Sequence, residues 1–291
     1  MPHISKSDHI YSMNPLNTSK LQVKQGTLIT IDTLDCFAEQ AHQNGYSMAG
    51  ISFEKVNPAT GPIYIEDVNP GDLLEIEIID ITLGTCGVMA STPLFGALKE
   101  CLVESEIVPY HIKDNAVQFD DIAIPIAPMI GVIGVAPKSG DIANGSPGEH
   151  GANMDCKNIT IGSKWYLTAF HPGGLLSVGD LHAVMADGEL SGTGVEISGT
   201  VQLKVTVVKP TMVIPTPCVV NGTVYSFIAS ATTLDKAVEL ASKKTLNYLD
   251  QYFNDKGKTV RFMSLYADAG ICQVVNPLKT AKVTVDMAIL K

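Results

Sequence analysis

Val201-Gln202-Leu203-Lys204-Val205-Thr206-Val207 alternates apolar and polar side chains without a break. Successive side chains of a strand point to opposite faces, so this spelling describes a strand with one buried face. Working outward, Glu75-Ile76-Glu77-Ile78 and Val283-Thr284-Val285-Asp286-Met287 repeat the alternation. Leu28-Ile29-Thr30-Ile31 adds a short apolar run of β-favouring residues. Turn signals punctuate the pattern at Gly71-Asp72, Gly179-Asp180, Asn57-Pro58 and Asn276-Pro277. One segment reads differently. From Thr233 to Asn254, the residues Leu234, Ala237, Val238, Ala241, Tyr248, Leu249 and Tyr252 fall on one helical stripe. Thr233 is placed to cap its start, and Gly257 lies just past its end. A shorter helix is expected around Arg261–Ala269. The fold class that follows is mainly β (α+β), with sandwich- or barrel-like sheets and a few helices concentrated in the C-terminal half.

A chain of 291 residues is long enough for one domain over 1–291, with a division into lobes of about 1–125 and 126–291 as the alternative. A hydrophobic fraction of 45% against 17% charged residues supplies a substantial core. No apolar run approaches the roughly 20 residues that span a bilayer. Residues 1–15 lack the apolar stretch of a secretory signal, so the expectation is a cytoplasmic protein without a membrane partner. The net charge of −10, with no Lys/Arg cluster, argues against nucleic acid, which requires a basic face. It mildly favours neutral or cationic substrates. Cys36, Cys86, Cys101, Cys156, Cys218 and Cys272 are scattered, with no CxxC pair. They read as buried reduced thiols, and any metal site as one without thiolate ligands.

Two segments concentrate chemistry. The first, MIGVIGVAPKSGDIANGSPGEHGANMD from Met129 to Asp155, is dense in glycine and ends in Glu149, His150, Asn153 and Asp155. It is either a flexible surface loop or a functional loop on a rigid scaffold. The second runs from His171 through Asp180, His182, Asp187 and Glu189, with Glu196 following. On a strand, Asp187 and Glu189 would share a face, with His182 joining them after a bend. Imidazole with carboxylates suits zinc or manganese, or calcium where carboxylates dominate. Such an ion lowers the pKa of water to about 7 and polarises an amide carbonyl, and a free carboxylate, Glu149 or Glu189, could serve as general base. The bland alternatives are a structural histidine, turn-forming Asp180 and Asp187, and solvated Glu189 and Glu196. No zinc-finger, HExxH, EF-hand, P-loop, GxGxxG or GxSxG pattern occurs. Cys156-Lys157 weakly suggests a thiol amidase of the nitrilase type, but an inert buried thiol is the simpler reading.

Three blocks resemble the acetamidase/formamidase family. They are Asn57-Pro-Ala-Thr-Gly-Pro62 with Val68-Asn-Pro-Gly-Asp-Leu-Leu-Glu-Ile-Glu-Ile78; Pro147-Gly-Glu-His-Gly-Ala-Asn-Met-Asp155; and Gly173-Gly-Leu-Leu-Ser-Val-Gly-Asp-Leu-His-Ala183, running into Asp187-Gly-Glu189 and Glu196. Their order and spacing resemble the family over nearly the whole chain. The resemblance implies a mostly β fold, a homodimer or higher homo-oligomer, a divalent metal (zinc foremost, calcium the alternative) and hydrolysis of short amides to carboxylate and ammonia. By position it makes Asp155 and His182 the leading metal ligands, with Asp32 and His150 as further ones and Glu149 and Glu189 as candidate bases. Two departures stand out: Ala152 replaces a glycine of the second block, and Met185-Ala186 stands where the family often shows Gln-Gly. A lost polar partner can shift substrate discrimination by orders of magnitude. A lactam or another C–N bond is therefore the alternative substrate, and a non-catalytic metal-binding protein the alternative class.

Overall fold

In the computed structural model, which describes residues 1–290, the alternating segment forms the strand Gly199–Val208. It lies between Ile29–Thr33 and Leu73–Leu83, both marked by the sequence, and Val201, Leu203 and Val205 turn inward. These strands belong to a nine-stranded sheet that continues through Lys164–Thr168, Cys218–Asn221 and Val224–Ala231 to Lys279–Asp286 and the edge strand Asp268–Gln273. A ten-stranded sheet is built around Leu176–His182, Ala59–Ile65, Met129–Gly134 and Cys86–Ser91. The inward faces of the two sheets share one apolar cluster that includes Ile31, Ile63, Ile76, Ile130, Trp165, Leu176 and Val201. This is a sandwich of open sheets, and neither closes into a barrel. Both sheets draw strands from either side of residue 125.

The helical stripe forms Leu234–Phe253, where the Thr233 hydroxyl accepts the Lys236 amide. It packs on Val224–Ala231 and Lys279–Asp286, with Tyr248 against Tyr225 and Phe227 in a second apolar cluster. Among the described residues, no helix is long and apolar enough to cross a membrane.

Several local expectations are corrected. Asn254, in the left-handed region at φ 50°, ends the long helix, and Gly257 lies inside the next one, Lys256–Tyr266. That second helix starts earlier and stops sooner than expected, because Asp268 already pairs with Thr284 in the sheet. The last strand ends at Asp286, and Met287 begins a 3-10 turn. Gly179-Asp180 is no turn: both residues lie within Leu176–His182, which is buried along its whole length. The start of the glycine-dense segment is likewise the fully buried strand Met129–Gly134 rather than a flexible loop. Asp187 and Glu189 share no strand face. Gly188, at φ 100°, turns the chain between them, leaving Asp187 paired with Lys282 (2.9 Å) and Lys157 (3.2 Å) while Glu189 is buried.

Candidate active site

Strand pairing brings the acids together. Asp180 and His182, two residues apart on one strand, share a face. The register sets Glu196 opposite His182, and the Nε2 of His182 lies 3.2 Å from Glu196 Oε1 and 3.6 Å from Asp180 Oδ1. Met129–Gly134 runs alongside, and the next stretch of chain bridges it at Val132 and Asn153. That places Asp155 beside Gly131, 3.9 Å from His182 Nε2. Gly131 is small for a reason: a Cβ there would stand 2.5 Å from Asp180 Oδ2 and 2.6 Å from Asp155 Oδ1. The turn after Gly188 delivers Glu189 to within 4.8 Å of Asp155 and His182. Cys36 enters from the loop that follows Ile29–Thr33.

Two donor groups result, each with ligand atoms within 4.8 Å of one another: Asp155, His182 and Glu189, and Cys36, Asp180 and Glu196. All six side chains are buried. Sequence reasoning excluded thiolate ligands, yet the structure brings the Cys36 sulfur into the second group.

Burial of so many acids disfavours their charged forms. Desolvation, reinforced by Asp180, pushes Asp155 up to about 7. Desolvation pushes Glu196 up to about 8 against the opposing pull of His182. Glu189 rises well above the carboxylate range through burial and the nearby Asp155. Burial alone would lower His182, but Glu196 and Asp180 raise it well above the ordinary imidazole value. Partners are nevertheless incomplete: Asp180 Oδ1, Glu189 Oε2, Glu196 Oε2 and both ring nitrogens of His182 make no hydrogen bond. Buried polar atoms are nearly always paired, so this set calls for an ion or water. A cation fits it, and the nitrogen and carboxylate donors of the first group suit zinc or manganese.

Amides frame the acids. The Asn153 side-chain nitrogen donates to both oxygens of Asp155 (2.9 and 3.0 Å) and to Asp180 Oδ2 (2.9 Å). Asn276 Nδ2 donates to Asp155 Oδ2 at 2.6 Å, and Asn57 Nδ2 donates to the Asn153 oxygen at 3.0 Å. A cleft of about 170 Å³ reaches this frame, with Cys36, Asn57, Thr193 and Asn276 among its lining and Phe37, Phe53 and Phe95 as apolar walls.

Of the residues singled out from sequence, Asp155, His182 and Glu189 therefore converge. Asp180 and Glu196 enter the second group, whereas Asp32, Glu149, His150 and Cys156 lie outside both. Asp32 bonds His3 (2.7 Å) and Thr200 (3.0 Å). Glu149 is 64% exposed and pairs with Lys244 at 3.0 Å. His150 is buried beside a different cavity, and burial lowers it to about 4. Cys156 is fully buried, with its sulfur 3.7 Å from Asn158 Oδ1. Sequence reasoning marked Asp180 as a turn, gave a solvated strand position only as the bland alternative for Glu196, and left Cys36 inert. The His182 spacing could have recovered Asp180, since i and i+2 share a strand face. Nothing local marks Cys36.

The model of the acetamidase/formamidase family matches residues 15–144 and 142–257. The structure of an acetamidase from Bacillus halodurans superposes with a TM-score of 0.96 at 40% identity, covering 99% of this chain and 98% of that one. That of a predicted acetamidase/formamidase from Thermoanaerobacter tengcongensis gives 0.93 at 38% identity, covering 99% and 96%. A formamidase from Methylophilus methylotrophus is 24% identical over 249 residues, 64% of this chain. The chain matches 61% of that relative's length.

Proposed function

The chain belongs to the acetamidase/formamidase family, and from that premise we propose that it hydrolyses short carboxamides such as formamide and acetamide to carboxylate and ammonia. What supports the reading is the buried set of acids and imidazole with unpartnered atoms, set against a small cleft edged by side-chain amides. A divalent cation, zinc foremost, held by Asp155 and His182 with Glu189 left free beside it, would supply Lewis acidity and make water a nucleophile near neutral pH.

The chain's own residues do the rest. Asn153 and Asn276 fix the Asp155 carboxylate through hydrogen bonds, and Asn153 ties it to Asp180. Phe37, Phe53 and Phe95 limit water in the cleft, while Asn57, Thr193 and Asn276 give it a polar edge that matches a carboxamide. Amide hydrolysis requires one proton to leave the attacking water and another to reach the departing nitrogen. Glu189 and Glu196 are the carboxyls placed for that transfer. Burial raises both above the ordinary carboxylate range, and Glu196 to about 8, near the pH at which general acid–base catalysis is most effective.

The test combines elemental analysis of the purified protein with ammonia release from formamide and acetamide, before and after chelation and metal return. Activity is expected to vanish on chelation and to recover with zinc or manganese. Full turnover by protein shown to be metal-free would overturn the reading.

A further inference from the structure

A second, larger cavity of about 400 Å³ borders the same acids from another side. Its wall is apolar over most of its extent, with Met89, Val117, Phe119, Ile124, Met185 and Val195 as the main surfaces. Three residues join it to the candidate site, and the first, Thr193, lines both this cavity and the smaller cleft. Glu189 belongs both to the cavity wall and to the donor group with Asp155 and His182. Gly194 also lines the cavity, and a Cβ on it would lie 2.5 Å from His182 Nδ1. The partition there is bare backbone, and the imidazole packs directly against it.

Formamide and acetamide have no group that could reach these side chains. The one other charged residue of the wall, Asp187, is already neutralised by Lys282 and Lys157. A polar or charged tail entering the cavity would lose water and meet only the Ser191 and Thr193 hydroxyls, both of which already donate to backbone carbonyls. An apolar chain would gain burial on nearly every side. We propose that this cavity receives the acyl chain of the substrate, so that the preferred amides are saturated ones of about four to six carbons, butyramide to hexanamide, rather than formamide. The inference rests on the amidase reading and adds the substrate class.

The experiment measures kcat/KM for formamide, acetamide, butyramide and hexanamide with the metal-loaded protein. Each buried methylene contributes up to about a fourfold gain. Hexanamide is therefore expected to exceed acetamide by tenfold or more. Ala186→Phe fills the cavity from an exposed rim position and should lower the hexanamide-to-acetamide ratio at least tenfold. Leu190→Trp, at another exposed rim position, repeats the test independently should the first variant fold poorly. Acetamide turnover with no gain from chain length rejects the acyl cavity and leaves the amidase reading standing. A preference for hexanamide that neither folded variant changes also rejects it. Inertness toward every amide sinks both.

Discussion

Glycine 131 shows how one missing methyl group makes room for chemistry. Its hydrogen faces two carboxylates that a Cβ would crowd to 2.5 and 2.6 Å. Gly131→Ala must push Asp155 or Asp180 aside. A displacement near 1 Å in a catalytic constellation costs on the order of a hundredfold in rate. The variant is therefore expected to lose about two orders of magnitude in kcat/KM and most of its metal, read by steady-state ammonia release and metal per chain. Asp155, Asp180 and Glu189 also all hold positive φ, at 44°, 58° and 49°. Non-glycine residues adopt that region at a cost of roughly 1–3 kcal/mol each, and such strain gathers at working sites. The two candidate bases can be separated at this scale. Glu149 lies on the surface with Lys244, so Glu149→Gln should keep activity within about threefold. Glu189→Gln should lower kcat by roughly 10²–10⁴, the usual worth of a positioned proton carrier.

At the scale of elements, legibility followed the reach of the signal. The alternation of Val201–Val207 and the stripe of Leu234–Phe253 are local periodicities, and both elements form where those patterns fall. The Thr233 cap was legible for the same reason, since its partner, the Lys236 amide, is three residues away. Thr233→Ala should cost about 1 kcal/mol. For a protein of this size that is about 1–2 °C in Tm, read by thermal unfolding, with kcat on acetamide unaltered. Met129–Gly134 was illegible because the reason for its glycines lies across the sheet. Gly131 yields space to Asp155 and Asp180, and a sequence window sees only that glycine is flexible. Asp180 was misread in the same way: next to Gly179 it spells a turn, and only pairing with Met129–Gly134 shows that it is a strand residue facing inward. Asn57 and Asn276 spelled turns as well, and their side chains prove to brace Asn153 and Asp155.

For the whole molecule, the site exists only when distant parts of the chain have met. Cys36, Asn57, Asp155, Asp180, His182, Glu189, Glu196 and Asn276 come from nearly its full length, so closing the site and folding are one event. Proton binding is consequently linked to stability. Asp155 moves from an ordinary 3.8 to about 7 on folding, and Glu196 from 4.5 to about 8. Below about pH 4 both carboxyls are protonated in either state and burial goes unopposed. As pH rises, the unfolded chain releases those protons first, so stability drains away until the folded groups titrate near pH 7–8. A divalent cation bound there would take the place of the protons and reverse the loss. At a hundred times its Kd it would add about 2.7 kcal/mol, which corresponds to roughly 4–5 °C in Tm. Chelated protein scanned from pH 6 to 8.5, clear of its pI near 5.1, should therefore melt progressively lower. The gain from added zinc or manganese should widen over the same range. A chelated protein that melts higher at pH 8.5 than at pH 6, with no response to either ion, would mean that these acids are satisfied without a cation.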